Sequence, residues 1–224
     1  MPTGESNFGA AVWAILCKEC QTEWRTRYGL NAALLFALTT LTTVSFAAGR
    51  LGDRIDLLSA FLWIVLLFAS MASLAHVFVR EVDGHTLTFL RLVASPGAIA
   101  LGKLLFNLLF LLVLEAVTVP LFFILMDAPP PSWGKFLALL GLGSLALAAT
   151  STLVGAIIAQ TRSRGALFAA VSLPLLLPVM AAAVSGTRNQ WQMGSVAPEL
   201  RLLAGFTAAV LGMSVLLYDH LWND

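Results

Sequence analysis

Apolar residues in this chain run on without interruption over long stretches and do not alternate with polar ones. Six such stretches lie at about residues 30 to 48, 57 to 79, 98 to 125, 134 to 159, 166 to 186 and 200 to 218. Wound as α-helix at ~1.5 Å per residue, each is close to the ~20 residues that cross a ~30 Å hydrocarbon layer. Strands of a membrane barrel would alternate apolar and polar positions, and these runs do not. The pattern therefore predicts an all-α polytopic membrane protein with six transmembrane helices. Between the runs stand GRLGDRID, the segment from Arg80, DAPPPS, QTRSR and GTRNQWQMGSVAPE. Each brings charge, Gly or Pro, which are costly in lipid or interrupt a helix.

Composition agrees with this reading. Hydrophobic residues make up 59% and charged residues 11% of the 224, against about 25% charged in ordinary soluble domains. Mean hydropathy is +0.88. A net charge of +1 and the lack of any basic tract give no sign of a nucleic-acid partner. The first apolar patch, AAVWAIL, is followed by KECQTEWRTR and by no small-residue cleavage site, so no cleavable signal peptide is expected.

Basic residues set the expected orientation. With the N-terminus inside, the cytoplasmic set is Lys18, Arg25, Arg27, Arg80, Arg91, Lys103, Arg162 and Arg164, against Arg50, Arg54, Lys135, Arg188 and Arg201 on the other side. This excess places both termini in the cytoplasm. Residues 1–29 form a separate amphipathic segment ahead of a six-helix transmembrane body at 30–224. Within it Phe8, Val12, Trp13, Ile15, Leu16 and Trp24 mix with Lys18, Glu19, Glu23, Arg25 and Arg27, as in a helix lying in the membrane interface with its polar face in water.

The segment Arg80 to Lys103, REVDGHTLTFLRLVASPGAIALGK, joins the second and third apolar runs. Gly84 permits a tight turn after the second span. Leu87, Phe89, Leu90, Leu92 and Val93 supply an apolar face, while Arg80, Glu81, Asp83, His85 and Arg91 remain available to water. Pro96 ends that short helix and Gly97 bends the chain into the third span. The segment reads as a helix lying across the cytoplasmic end of the bundle, with a solvated loop as the alternative.

The order Arg-Glu-Val-Asp-Gly, Leu-Thr-Phe-Leu, Ser-Pro-Gly and Gly-Lys resembles the segment between spans two and three of ABC-2-type permeases, and is most similar to the CcmB family of cytochrome c maturation. SLPLLLPV, Ser172 to Val179, is similar to the Pro-containing fifth span of that family. The resemblance implies a non-catalytic permease subunit in the bacterial inner membrane, with an elbow helix at its N-terminus and a short coupling helix between spans two and three. It implies a CcmA-type ATPase as motor, two copies of each subunit, and work alongside CcmC and CcmD in releasing the haem-loaded chaperone CcmE. Carried over by position, Arg80, Glu81, Asp83, Gly84 and Arg91 form the ATPase-coupling set, and Pro96, Gly102 and Lys103 fix the start of span three. ATP and haem are then handled through partner subunits. The alternatives are an ABC-2 exporter of another lipid, a drug or a polysaccharide, and a membrane scaffold that transports nothing.

Single residues add further expectations. No GxxxxGK[ST] phosphate loop is present, so ATP hydrolysis belongs to another polypeptide. No WGxxWxWD haem-handling segment occurs, and the scattered Trp residues suit an aromatic belt. Direct haem ligation would require His76, His85 or His220, all on the expected cytoplasmic side. Glu115 falls inside the third span, where a carboxyl group must face protein or water. It is a proton or substrate site, a mechanical polar contact at a subunit interface, or a structural hydrogen-bonding group near Thr118. Pro174 and Pro178, four residues apart on one helical face, predict a bend in the fifth span, as a hinge or as a fixed kink. Cys17 and Cys20 lie too close on one helix for a disulfide framework and read as small apolar side chains. Small residues from Gly141 to Ala156 permit close packing of the fourth span.

Overall fold

The computed structural model describes residues 8–49, 51–83, 95–158 and 164–223, with side chains described except at 72–83, 96, 158, 164–170 and 217–223. Within them the chain forms α1 (Phe8–Thr26), α2 (Tyr28–Ala48), α3 (Ile55–Asp83), α4 (Pro96–Met126), α5 (Trp133–Ile158), α6 (Arg164–Trp191) and α7 (Ala197–Asn223), with no strand among the described residues. The six apolar runs fall on α2 to α7. Of these, α2, α4, α5, α6 and α7 are each long and apolar enough to cross a membrane, and the described apolar part of α3 is the shorter Ile55–Met71. The protein is an all-helical polytopic membrane protein.

Helix ends follow local chemistry. Gly49, at φ 67°, closes α2 and its N–H donates to the Ser45 carbonyl. Asp127, also left-handed at φ 53°, closes α4, and the Ala128 N–H reaches back to the Phe123 carbonyl at 3.2 Å. Pro96 stands in the first turn of α4, where its missing N–H costs no intrahelical bond, and Gly97 is already helical. The proline therefore opens the long helix that follows it. Inside helices, Pro120 lies in α4, while Pro174 and Pro178 lie in α6, which continues through both with these two side chains facing outward.

The break between α1 and α2 has no glycine. Arg27 takes φ 51° between α1 and α2, and the Leu30 N–H is satisfied by the Glu23 carboxylate at 2.9 Å. Glu23 thus caps α2 from the preceding helix. The bend turns α1 away from the axis of α2 and lays it along α4.

At the centre is α5, 72% of whose most apolar window is buried. The small residues seen in the sequence explain this position: Ser144, Ala146, Ala148 and Ala149 are buried, and Gly143 is in close contact with the Trp63 indole of α3. A Cβ at Gly143 would lie 2.2 Å from Trp63 Cη2. The indole Nε1 donates to Thr187 Oγ1 of α6 at 2.8 Å. Trp63 is therefore core, whereas Trp13, Trp24 and Trp133 are exposed, as belt residues are. The end of the bundle away from α1 is closed by aromatic rings, with Phe123 edge-on to Phe136 at 5.6 Å and Trp191 Nε1 donating to the Pro129 carbonyl at 3.0 Å. The three-proline run, which had no expected role, thus accepts a hydrogen bond from α6.

Gly143→Ala should lower thermal stability in detergent by about 1–3 kcal/mol, the usual cost of overpacking a tight contact. Gly141→Ala, where nothing lies within 4 Å of the added carbon, should leave the midpoint unchanged. Equal midpoints for the two variants would show that the Trp63 contact is not tight.

Candidate functional site at the junction of α1 and α4

Two of the residues expected at the start of the third span, Gly102 and Lys103, form the seat of α1. A Cβ at Gly102 would lie 2.7 Å from Ile15 Cγ2 and 3.2 Å from the Val12 carbonyl, so only glycine lets α1 come this close. One residue on, Lys103 Nζ lies 3.4 Å from Glu19 Oε1, with both side chains almost wholly buried. Lys18 Nζ approaches the same oxygen at 3.0 Å from a more exposed position. Nearer the start of α4, the Phe8 ring lies 3.6 Å from where a Cβ at Gly97 would stand.

The sequence placed Glu19 on the watery face of α1. The structure buries it, because Val12, Ile15 and Glu19 follow one another at helical spacing on the stripe that meets α4. Lys103 supplies the opposite charge that makes this burial tolerable. The readable signal was a lone lysine inside an apolar run combined with an acidic residue in register with apolar ones. At 31 residues, or ~46 Å, α4 exceeds a ~30 Å hydrocarbon layer. If Met126 marks one edge of that layer, the Glu19–Lys103 pair lies outside the other edge.

The remaining expected site residues are placed unevenly. Arg80, Glu81 and Asp83 belong to the last turn of α3, which runs on to Asp83. Gly84 and Arg91, and with them the expected crossing helix, lie outside the described residues, as does His85. His76 and His220 lie on α3 and α7 at positions whose side chains are not described.

Glu115 is buried between α4 and α5, where Ser144 Oγ donates to its carboxyl group. The neighbour expected from sequence was Thr118, but the Thr118 hydroxyl makes no hydrogen bond to the described residues. Two turns earlier on α4, Asn107 Nδ2 donates to Thr152 Oγ1 at 2.8 Å. Thr152 lies two turns beyond Ser144, so the two polar pairs fix the antiparallel register of α4 on α5. Among the described residues no three His, Cys, Asp or Glu side chains gather as a metal site.

The profile of the CcmB protein family matches residues 10–220, a span that includes the α1 seat, the α3–α4 connection and the α4–α5 seam. The chain belongs to the CcmB family. It is similar to heme exporter protein B of Paracoccus denitrificans (strain Pd 1222), with 28% identity over 204 residues that cover 90% of this chain and 93% of that relative. It is also similar to heme exporter protein B of Rhodobacter capsulatus, with 26% identity over 202 residues, 89% of this chain and 93% of the relative. A CcmB-family chain thus carries a clamped N-terminal helix on the span that follows the α3–α4 connection.

Cys20 lines the same junction, and burial, then Cys17 and Glu19, push its thiol above the ordinary value. A raised value keeps the group protonated at neutral pH, so in a Cys17→Ser background Cys20 alkylation should become fast only above the usual thiol range of about 8.5. Rapid labelling at pH 7 would reject this. Because Glu19 and Lys103 touch, a double-mutant cycle of Glu19→Gln and Lys103→Met should give a coupling energy of about 0.5–3 kcal/mol in detergent unfolding. Strict additivity would mean that the pair does not bind α1 to α4.

Proposed function

We propose that this chain is the membrane permease subunit of an ABC transporter acting in cytochrome c maturation, moved by a separate CcmA-type ATPase. The observation that carries the reading is the family match, which runs through nearly all of the chain. The names of the two similar proteins point to haem as the cargo or as the group whose release is driven. The protein lies in the bacterial inner membrane with both termini in the cytoplasm, two copies assemble per complex, and CcmC-, CcmD- and CcmE-type proteins work beside it.

The mechanism is mechanical. The ATPase grips the connection between α3 and α4 through Arg80, Glu81, Asp83, Gly84 and Arg91. Closure of the motor displaces the start of α4, and the α1 seat makes this displacement collective: Gly102 removes the gap and Glu19–Lys103 ties the helices, so α1 and α4 move together. The polar register of α4 on α5 carries the motion inward. Glu115 is a structural hydrogen-bonding group in this reading, and no chemical step is assigned to it.

Reversing both charges, Glu81→Lys with Asp83→Lys, should reduce co-purification of the ATPase and lower c-type cytochrome levels, while helical content by circular dichroism stays at that of the parent. Full ATPase association together with full cytochrome maturation would remove the docking assignment. Unchanged c-type cytochrome levels after deletion of the whole chain would remove the maturation reading itself.

A further inference from the structure

A lateral groove runs down the outer face of the protein from the bend at Arg27. Its upper part, about 450 Å³, is enclosed by α1, α2 and α4, with Trp24 and Arg27 at the mouth and Phe106 and Phe110 as its floor. Its lower part, about 360 Å³, lies between α2 and α4, walled by residues such as Leu38 and Val117. Asn31 lines both, so the two parts adjoin at that residue. The groove carries Arg27, Glu23 and Asn31 at one end and is apolar along the rest of its length.

We propose that this groove binds one anionic phospholipid from the leaflet in which α1 lies, its headgroup phosphate against Arg27 and one acyl chain between α2 and α4. Charge is the first argument. The Arg27 guanidinium is exposed, stacks over the Trp24 ring with its Cζ 5.0 Å from the centroid, and thereby stays at the groove mouth. The acidic side chain at the mouth, Glu23, turns its carboxylate to the Leu30 N–H, where it caps α2. Depth is the second argument. Arg27 marks the point at which the interfacial helix becomes a spanning one, which is headgroup level, and Trp24 beside it is exposed, as interfacial Trp residues are. Direction is the third. From Asn31 to Leu41 the groove follows α2 for ten residues, ~15 Å along the path that a lipid chain takes from its headgroup toward the bilayer middle.

The test is native mass spectrometry of the full chain in detergent, titrated with phosphatidylglycerol or phosphatidylcholine. One saturable phosphatidylglycerol per chain is expected. Arg27→Gln, which removes the charge, should weaken it about fivefold, the effect of one basic side chain near an anionic headgroup, and should not move phosphatidylcholine. Val113→Trp, which fills the upper part from α4, should abolish saturable binding while circular dichroism shows intact helix. If Val113→Trp fails to fold, the Arg27→Gln comparison still decides. Unchanged phosphatidylglycerol affinity in Arg27→Gln overturns the proposal. So does one-for-one displacement of the lipid by haem, or efficient Leu35→Cys disulfide formation between copies, which would show a second chain covering the groove. The measurement uses this chain alone, so failure of ATPase docking leaves it standing.

Discussion

Close approach along α5 is the constraint on which the rest of the bundle depends. Lipid tails are as apolar as leucine, so burying one apolar helix against another gains little from the hydrophobic effect, and association must come from dispersion and polar contacts at short range. Gly143 lets the Trp63 indole pack closely against α5, and the same indole then reaches Thr187 on α6. Ser144 and Thr152, a hydroxyl every two turns, meet Glu115 and Asn107 on α4. A large side chain at Gly143 would lift α3 off α5 and draw Trp63 away from Thr187. The polar residues that look anomalous in an apolar run are thus the ones that set which helix lies beside which.

The same logic of a small residue beside a polar pair recurs at the edge of the bundle, where it has a different consequence. Gly102 and the Glu19–Lys103 pair hold an interfacial helix against a span. An interfacial helix held only by its apolar face could slide in the headgroup layer. Clamped, it is tied to α4, and so is the Arg27 bend with the groove beneath it. The start of α4 and the groove at the outer face are therefore connected through one short stretch of residues.

Much of this was legible before any coordinates. The six apolar runs predicted the helices, since the physics of crossing hydrocarbon depends on length and continuity, both of which are read directly. The order of residues from Arg80 to Lys103 led to the family, since the signature is linear. Glu115 was legible as a buried polar group but its partner was not. Thr118 is the near neighbour along the helix, whereas Ser144 is near only after α5 has packed. Nothing along the chain distinguishes Trp63, buried in the bundle, from the tryptophans at its rim.

By itself, then, the sequence determined that the chain lives in lipid, which of its stretches are helical, and the family it belongs to, because each depends on residues adjacent along the chain or on composition. Only the tertiary structure decided that Glu19 is buried on Lys103, that Gly102 is a seat for α1 and that α5 is the central helix. These depend on which faces meet across gaps of tens of residues, and at such separations a glycine, a carboxylate or a hydroxyl has no meaning until its partner arrives.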